Sequence, residues 1–469
     1  MNTMNKMSEH IDYKVSIPVI AQVDVLVIGG GPAGIGAAIA AARAGATTAI
    51  VERYGFLGGN ATAGLVGPFM TSYSDDGETQ LVKGVFDELV VRMEKIGGAM
   101  HPENVAAGSS FSGFFIKGHD HVTPFDPEAV KLVAAEMMVE SGVQMFLHSF
   151  FMDTIVEDGC VKGGIILNKS GPQAIHAKVT IDCSADGDVA YKAGSAMEVG
   201  RKSDGMTQPM TMFFRVAGVD DEKIERYVEE HPEEQHMLFH TLIEEKRKTG
   251  EWQVKKNHLG VYRTTQPGVY RVNTSRIQGL DGTNVADLTN AEIEGRKQVF
   301  ELIAFFRKYF PGFENATLID TAAQIGIRET RRLVGEYVLT ADDIVTGRDF
   351  DDVIALYGYP IDIHSPNEVT TEFDAAYHTA NIYQLPYRIL VPAETDGLLL
   401  AGRCVSATHE ALGAIRVMPC AFALGQAAGA GAALASRNGV QPRHVNTAQL
   451  QKLLHEQGVV LPRDLKTAN

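Results

Sequence analysis

Three glycines with the spacing Gly-x-Gly-x-x-Gly, at Gly29, Gly31 and Gly34, follow a short aliphatic run at residues 25–28. In this spacing the first glycine permits a tight turn, the second permits close approach of a pyrophosphate, and the third lets a helix pack against the strand. Glu52 ends the next apolar run, where a carboxylate would bind ribose hydroxyls. Strand, turn, helix, second strand and terminal acid agree, so the segment predicts a dinucleotide-binding unit.

A second cluster of small residues, at 58–60, bears on which dinucleotide is bound. The glycine motif alone cannot decide, because FAD and NAD share the adenosine diphosphate half. The cluster resembles a segment of the glutathione-reductase-like FAD superfamily, in which small residues run beside the pyrophosphate towards the isoalloxazine ring. The sequence has no second Gly-x-Gly-x-x-Gly for a separate pyridine-nucleotide domain. The resemblance therefore implies resident FAD without an inbuilt NAD(P)H site.

Charged residues in the late run "GRCVSATHEALGAIRVMPC" are the first candidates for catalysis. A flavin dehydrogenase needs a base for the proton that leaves the hydride donor. We favour His409, whose ordinary pKa suits work near neutrality, over the alternative that it only orients its loop. Glu410 would hold His409 or an arginine. Arg416 precedes a helix predicted to start near Met418, and its charge and that helix N-terminus would stabilise negative charge on the flavin N1–C2=O edge. The alternative for Arg416 is a surface salt bridge.

A second set of candidates would bind the substrate. Arg328 in "QIGIRETRRLVGEY" follows the apolar residues 325–327, which is typical of an inward strand or loop. We expect it to anchor a carboxylate or another anionic substrate. If the segment were a helix, Arg328 and Arg332 would share one face of it. A run of charges usually forms a solvated face, which is the alternative to an inward Arg328. Weaker candidates are His258, His364 and Tyr387. Cys404 could touch the flavin site, but free buried cysteine more often serves packing.

The elements that must position these residues include several buried strands. Apolar runs across residues 143–183, cut by Asp-Gly and Ser-Gly turns, predict a small antiparallel crossover and a return strand at 179–182. Ser184 and Ala185 follow that strand and would contact the dinucleotide through their backbone. Residues 398–401 predict the last buried strand, directly before the late run of catalytic candidates.

These elements together predict an α/β fold. We expect a Rossmann-like FAD-binding domain with a central parallel sheet and a small antiparallel crossover, plus an inserted α+β substrate or cap domain. The predicted boundaries are 15–200 for the first part of the FAD-binding domain, 201–392 for the substrate or cap domain, 393–445 for the return strand and flavin-facing helix, and 446–469 for a C-terminal helix and tail.

Composition argues against several other classes. The chain has 469 residues and a formal net charge of −16, whereas a nucleic-acid partner would require clustered Lys and Arg. Four scattered cysteines form no Cys-x-x-Cys pair, and no metal-ligand spacing occurs, so we expect no metal. The longest apolar stretch, 23–51, predicts strand–helix–strand rather than a membrane span. The start lacks the features of a signal peptide, so we expect a cytoplasmic protein.

Five segments resemble a bacterial family of FAD-dependent oxidoreductases: "VIGGGPAGIGAAIAA", "GFLGGNATAG", "QIGIRETRRLVGEYVLTADDI", "LPYRILVP" and "LLLAGRCVSATHEALGAIRVMPCAFALGQAAG". The resemblance covers residues 23–435 and places the chain in the glutathione-reductase-like superfamily, distantly related to fumarate reductases and to heterodisulfide reductase flavin subunits. It implies these cofactor-binding residues: Gly29, Gly31, Pro32, Ala33, Gly34, Glu52, Arg53, Gly58, Gly59, Asn60, Ala61, Phe151, Ser184, Ala185, Gly402, Arg403, Val417 and Met418. The superfamily often ends its late strand with Gly-Asp, whose acid binds the ribityl chain. Here the pair is Gly402-Arg403, so Arg403 would face pyrophosphate or solvent.

The leading hypothesis is an FAD-dependent dehydrogenase or reductase that moves a hydride between flavin N5 and a small polar metabolite, which would be anionic if Arg328 binds it. Three alternatives stay open. They are a flavin monooxygenase using transiently docked NAD(P)H, an electron-relay subunit that needs another chain, and a lyase or isomerase with a structural flavin. The sequence identifies neither the substrate nor the electron acceptor or donor, and it is compatible with a homo-oligomer.

Overall fold

The computed structural model describes residues 11–115, 118–367, 371–372 and 379–465, so the end of the predicted C-terminal tail lies outside the described residues. The strands are β1 Val19–Ile28, β2 Thr48–Val51, β3 Gln144–Phe146, β4 Phe150–Glu157, β5 Cys160–Asn168, β6 Gly171–Asp182, β7 Met197–Val199, β8 Phe214–Ala217, β9 Val261–Arg263, β10 Tyr270–Val272, β11 Thr317–Thr321, β12 Arg331–Leu333, β13 Val353–Tyr357, β14 Ile363–His364, β15 Thr371–Glu372, β16 Tyr383–Pro386 and β17 Leu398–Leu400. The α-helices are α1 Pro32–Arg43, α2 Val85–Lys95, α3 Pro127–Glu140, α4 Asp188–Lys192, α5 Asp221–Glu230, α6 His240–Lys248, α7 Val285–Tyr309, α8 Ala341–Thr346, α9 His409–Ile415, α10 Met418–Asn438, α11 Thr447–Glu456 and α12 Pro462–Leu465.

The largest sheet has seven strands and is parallel at its centre. The order β3-β2-β1-β6 is parallel throughout, and β17 pairs in the same direction with the last residues of β6. The strands β4 and β5 form an antiparallel hairpin that joins the first half of β6. This arrangement confirms the predicted α/β class, with its Rossmann-like parallel sheet and small antiparallel crossover.

The centre of this sheet is buried on both faces. The strand β2 is buried along its whole length, and Leu26 and Val27 of β1 have no exposed surface. Aliphatic and β-branched runs of this kind suit parallel strands that are covered by helices on each side. The helix α1 follows β1 through the glycine-rich turn, with Gly31 as N-cap and Pro32 in its first turn. Proline is favoured there because that backbone position has no intrahelical hydrogen bond to lose.

Helices α1 and α10 pack in backbone contact through glycines. A Cβ atom on Gly425 would lie 2.0 Å from the Ala33 carbonyl oxygen, and one on Gly429 would lie 2.1 Å from that of Ala37. The two contacts advance by four residues on each helix in the same sense, so the helices run parallel. Their N-termini therefore lie at the same end of the sheet.

A second, antiparallel sheet with the strand order β11-β8-β10-β9 forms the other lobe. It shares an apolar core with α7 that includes Phe214, Tyr270 and Phe306. The segment containing β13 and β16 instead packs into the core of the first lobe, through Tyr357 and Tyr383 among others. Within the described residues, the antiparallel lobe thus has an apolar core separate from those that cover the parallel sheet. The predicted domain boundaries stay a prediction.

The arginine-rich segment after residue 325 is not helical. Arg328 lies in irregular backbone, and residues 331–333 form β12, which pairs with β7. The idea of a shared helical face for Arg328 and Arg332 is therefore wrong. The apolar approach at 325–327 does place Arg328 in a partly buried position, as an inward loop would.

One helix within the described residues, α10, is long and apolar enough to cross a membrane. Its apolar stretch is entirely buried within the protein, which is also expected of a core helix. The close packing of this helix against α1 and against the sheet strands β1 and β6 accounts for its Ala/Gly-rich composition. The predicted cytoplasmic location stays a prediction.

The glycine contact between α1 and α10 yields a stability prediction. Gly429→Ala should lower the free energy of unfolding by about 1–3 kcal/mol, because the added methyl group overlaps the Ala37 carbonyl and the helices must separate. Thermal unfolding followed by circular dichroism measures the effect. The exposed Arg437→Ala on the same helix is the control and should change the stability little. A Gly429→Ala protein as stable as the parent would contradict the close packing.

Candidate active site

A cleft of about 400 Å³ opens at the carboxyl ends of β1, β2, β6 and β17. Ligands bind at this edge in doubly wound parallel sheets, because the loops and helix N-termini meet there. The first turn of α1 lines the cleft with Pro32 and Ala33, and the first turn of α10 lines it with Met418 and Ala421. Two helix N-termini therefore direct unsatisfied backbone N–H groups towards one cleft, which favours an anionic ligand.

The glycine-rich turn is shaped for close approach of a ligand. Gly29 has φ +103°, and a Cβ atom there would lie 2.3 Å from the Cys183 carbonyl oxygen. A Cβ atom on Gly34 would lie 1.8 Å from the Gly29 carbonyl oxygen. Gly31 is different, because the nearest atom to its Cβ position is the Gly59 Cα at 3.9 Å. The open side of Gly31 faces the cleft, so a side chain there would occupy the space of a diphosphate.

Glu52 lies at the far end of this cleft, with 6% of its surface exposed. Its carboxylate accepts hydrogen bonds from the Gly30 amide at 2.7 Å and from the Tyr54 amide at 2.9 Å. Burial raises the pKa of Glu52, while these two amide hydrogen bonds oppose the shift. A carboxylate has further acceptor capacity, so Glu52 can also accept from ribose hydroxyls.

The cleft is bridged near Glu52 by contacts between the two lobes. The side chains of Arg53 and Tyr54 both donate to Gln324 Oε1, the second at 3.0 Å. The Arg53 guanidinium also lies 5.1 Å from the centre of the Tyr54 ring. Gln324 belongs to the segment after β11, so this bridge joins the nucleotide-binding turn to the antiparallel lobe.

Two partly buried arginines line the other end of the cleft. Arg403 forms an ion pair with Asp186 at 2.7 Å, and Arg416 forms one with Asp362 at 3.0 Å. The Nε atom of each arginine is buried, and neither has a hydrogen-bond partner among the described residues. Each arginine thus retains an N–H donor for a ligand acceptor. The residues present fit an anionic dinucleotide along the whole cleft.

A second cavity of about 130 Å³ lies next to this end of the cleft. Asn60, Ile327, Arg403, Arg416 and Met418 line both spaces. Most of the remaining lining comes from the antiparallel lobe and from the segment before β14. A ligand in the second cavity would therefore lie directly beside the end of the dinucleotide cleft.

Arg328 is the central cation of the second cavity. Its Nη1 atom donates to the Pro209 carbonyl and to Thr211 Oγ1, each at 2.7 Å, and its Nη2 atom lies 3.3 Å from Asn273 Oδ1. Burial and the neighbouring charges of Arg416 and Arg276 lower the pKa of Arg328 to about 9. Arg328 makes no ion pair with a carboxylate within the described residues. Its fixed guanidinium can therefore bind an anion from the cavity.

Asp362 and His364 form a buried pair in the same cavity, with His364 Nε2 3.3 Å from Asp362 Oδ2. Burial and the charge of Arg328 lower the pKa of His364 to about 3, despite the opposing effect of Asp362. Burial would raise the pKa of Asp362, but His364, Arg416 and Arg328 outweigh it and hold the pKa well below its usual range. Near neutral pH the pair is thus a carboxylate beside a neutral imidazole.

His409 and Glu410 line neither cavity. His409 Nδ1 lies 2.8 Å from Glu329 Oε2, and Glu329 also forms a buried ion pair with Arg332. The structure therefore places His409 in a buried charge cluster at the start of α9, which matches the alternative in which it orients its loop. Glu410 is half-buried and holds neither His409 nor Arg416 in the described structure.

The remaining predicted residues fall into three groups. The residues that line the dinucleotide cleft are Gly29, Gly31, Pro32, Ala33, Glu52, Arg53, Gly59, Asn60, Phe151, Ser184, Ala185, Gly402, Arg403 and Met418. Val417, His258 and His364 line the second cavity. Those that line neither are Gly34, Gly58 and Ala61 in the adjoining turns, the buried Cys404, and Tyr387, whose hydroxyl donates to the Pro442 carbonyl. Cys404 and Tyr387 therefore contribute to packing.

Several residues that line the second cavity are not predicted from the sequence: Lys256, Asp362, Tyr262, Tyr359 and His119. They come from separate loops and have no motif spacing that joins them. The segment "YPIDIH" has Tyr359, Asp362 and His364 at short intervals, and this cluster of polar residues is the feature of the sequence that could have indicated the cavity.

The parallel sheet, the glycine turn and the adjoining cavity define a dinucleotide-dependent enzyme in which the nucleotide lies beside a substrate space. The chain belongs to the FAD dependent oxidoreductase family, which matches residues 24–454. It is an oxidoreductase, and its cofactor is FAD. The finer placement in the glutathione-reductase-like superfamily stays a prediction.

Individual relatives are distant. The thiamine thiazole synthase of Methanococcus aeolicus is 25% identical over 194 residues, and the match covers 39% of this chain and 61% of that protein, less than two thirds of its length. A geranylgeranyl bacteriochlorophyll reductase-like protein of Thermoplasma acidophilum has 15% identity and a TM-score of 0.43 over 93% of this chain and 84% of its own. A flavin-dependent brominase has 12% identity and a TM-score of 0.47 over 93% of this chain and 84% of its own. Likeness at this level carries no argument about the reaction.

Glu52→Gln should weaken FAD binding by about ten- to a hundred-fold, since hydrogen bonds to a charged acceptor contribute about 1.5–3 kcal/mol. Titration of the apoprotein with FAD, followed by flavin fluorescence, gives the dissociation constant. Glu78→Gln removes an exposed carboxylate outside the cleft and serves as the control. Equal affinity in the Glu52→Gln protein would show that Glu52 does not contact the ribose.

Proposed function

We propose that the protein oxidises or reduces a small anionic metabolite by hydride transfer at flavin N5, with the metabolite held in the cavity around Arg328. The observation that carries the proposal is the position of Arg328. A partly buried guanidinium without a carboxylate partner among the described residues faces a small cavity that shares five lining residues with the cofactor cleft. The cavity is small enough to exclude a second dinucleotide.

The charges of the cavity favour an anion. Arg328 and Arg416 both face it, and Asp362 is the one carboxylate among its described lining residues. Asp362 is already paired with Arg416 and His364. The uncompensated positive charge therefore resides on Arg328, and an anionic group of the substrate would neutralise it. A guanidinium binds a carboxylate through two parallel hydrogen bonds, which would also orient the substrate.

Bound FAD supplies the site that accepts or donates a hydride. The second proton of an alcohol or amine donor needs a base within the same cavity. We assign this role to His364 rather than to His409, because the His364 imidazole lines the cavity, and an anion that neutralises Arg328 would remove a charge that lowers the pKa of His364. Asp362 would orient the ring and stabilise its charged form after proton transfer.

Backbone amides complete the site. The first turn of α10 meets both the cofactor cleft and the cavity at Met418. Unsatisfied N–H groups and the positive helix end favour negative charge nearby. Arg416, directly before this helix, adds a full positive charge, and its pairing with Asp362 fixes the guanidinium in place.

Arg328→Met should abolish the binding of small carboxylates to the FAD-loaded protein, because it removes the positive charge that the anion neutralises. Titration with small mono- and dicarboxylates, followed by the visible flavin spectrum, measures the binding. Arg328→Lys should retain weak binding, since it keeps the charge but loses the planar fork. Arg443→Met removes a cation outside the cavity and should bind normally.

The anaerobic flavin spectrum distinguishes the reaction classes. Bleaching by a small hydroxy or amino acid alone supports the proposal. Bleaching by NADPH alone would favour a monooxygenase instead. A spectrum that no carboxylate perturbs and no metabolite bleaches would contradict the proposal and leave an electron-relay role.

His364→Asn should slow flavin reduction by about a hundred-fold or more with little change in substrate affinity, since general-base catalysis contributes about 10²–10⁴-fold. In the parent protein the rate should show no loss near pH 6.5, because the pKa of His364 lies at about 3. Stopped-flow reduction across pH 5–8 measures both effects.

The same shift predicts a change in stability with pH. Unfolded His364 binds a proton near pH 6.5 and folded His364 only near 3. The contribution of neutral His364 to the free energy of unfolding is thus complete above pH 6.5 and is lost as the pH falls towards 3. His364→Asn should flatten the dependence of unfolding free energy on pH in this window, and an unchanged dependence would contradict a buried neutral imidazole.

A further inference from the structure

A lysine is buried in the wall of the substrate cavity. Lys256 lies in the loop before β9, and 5% of its surface is exposed. Its side chain lines the cavity together with Arg328 and His364. The backbone is fixed on one side, because Trp252 Nε1 and Arg247 Nη2 each donate to the Lys256 carbonyl at 2.8 Å. The amine is thus held at the cavity by a rigid loop rather than by a flexible surface segment.

The surroundings of the amine do not suit an ammonium ion. An ammonium has three N–H donors, and the Asn273 carbonyl is the one acceptor that Nζ has among the described residues. Within the same part of the chain, Lys256 forms no ion pair with a carboxylate. Burial, together with the charges of Arg328 and Arg276, lowers the pKa of Lys256 well below its ordinary value, against a weaker opposing effect of Asp362. The free-base form of this amine is therefore favoured more than that of an exposed lysine.

A desolvated amine beside an anion-binding guanidinium suits one class of compound. A 2-oxo acid carries a carboxylate next to an electrophilic carbonyl carbon, and Arg328 can hold the carboxylate while Lys256 meets the carbonyl. Desolvated lysines react in this way with carbonyl compounds. A 2-oxo acid is also what a 2-hydroxy acid becomes when it loses a hydride and a proton.

We propose that Lys256 captures 2-oxo acids as an imine in the cavity bounded by Arg328 and His364. The Nζ lone pair attacks the carbonyl carbon and forms a C–N bond. The carbonyl oxygen leaves as water with both hydrogens of the amine, which gives C=N without any oxidant or reductant. The inference rests on the proposed function, because it needs Arg328 to bind the carboxylate.

Reductive trapping tests the proposal. The FAD-loaded protein is incubated with pyruvate or glyoxylate and sodium cyanoborohydride, and its intact mass and digested peptides are measured. We expect one adduct, located on Lys256. Because the reactive form is the free base and burial favours that form, Lys256 should label faster than the exposed lysines at neutral pH, where an ordinary lysine is protonated.

Two variants act as a matched pair. Lys256→Arg should lose the adduct, whereas Lys255→Arg, which alters the exposed neighbouring lysine, should retain it. Peptide mapping of the parent protein locates the adduct without any variant, so a misfolded Lys256→Arg protein does not leave the question open. Absence of an adduct in the parent protein, or an adduct spread over exposed lysines, would overturn the proposal.

The trapping result can be separated from the proposed function. Carboxylates that perturb the flavin spectrum without any adduct would refute the role of Lys256 and leave the anion site intact. An adduct on Lys256 without any spectral change would support the imine and refute the placement of the anion beside the flavin. Absence of both the adduct and the spectral change would refute both the imine and the anion site.

Discussion

The close contact between α1 and α10 is the constraint on which the site depends. Glycines at the crossing let the two helices touch through their backbones, and the parallel register brings both N-termini to one edge of the sheet. Larger residues would push the helices apart and turn one N-terminus away from the cleft. The site thus obtains two sets of unsatisfied N–H groups from packing alone, before any charged side chain contributes. Because α10 is buried from Met418 to Ala435, its direction is fixed by the core.

The arginines around the two helix N-termini differ in how far carboxylates of the protein compensate their charge. Arg403 and Arg416 are each paired with one carboxylate and retain an N–H group for the cofactor cleft. Arg328 has neutral acceptors from the protein and no carboxylate among the described residues. Positive charge that the protein leaves uncompensated is therefore concentrated next to the cofactor. Burial of this charge costs free energy, and an anionic ligand would recover part of it.

The cofactor half of the site could be predicted from the sequence because its parts are local. Gly29, Gly31 and Gly34 lie in one turn, and Glu52 ends the next strand, so spacing alone indicated their common purpose. The substrate half could not be predicted in the same way. Lys256, Asp362 and Arg328 come from loops far apart in the chain, and only the packing of the second lobe brings them together. For His409, position near the late helix was a poor guide, because its pairing with buried Glu329 holds it in a cluster that lines neither cavity.

The bridge from Arg53 and Tyr54 to Gln324 has a consequence for how long the cofactor stays. It joins the two lobes across the adenosine end of the cleft, so an occupant held beneath it leaves only after those contacts break. The residence time of the nucleotide would then depend on these side-chain contacts as well as on its own. Slow exchange of the coenzyme between protein molecules would be the expected result.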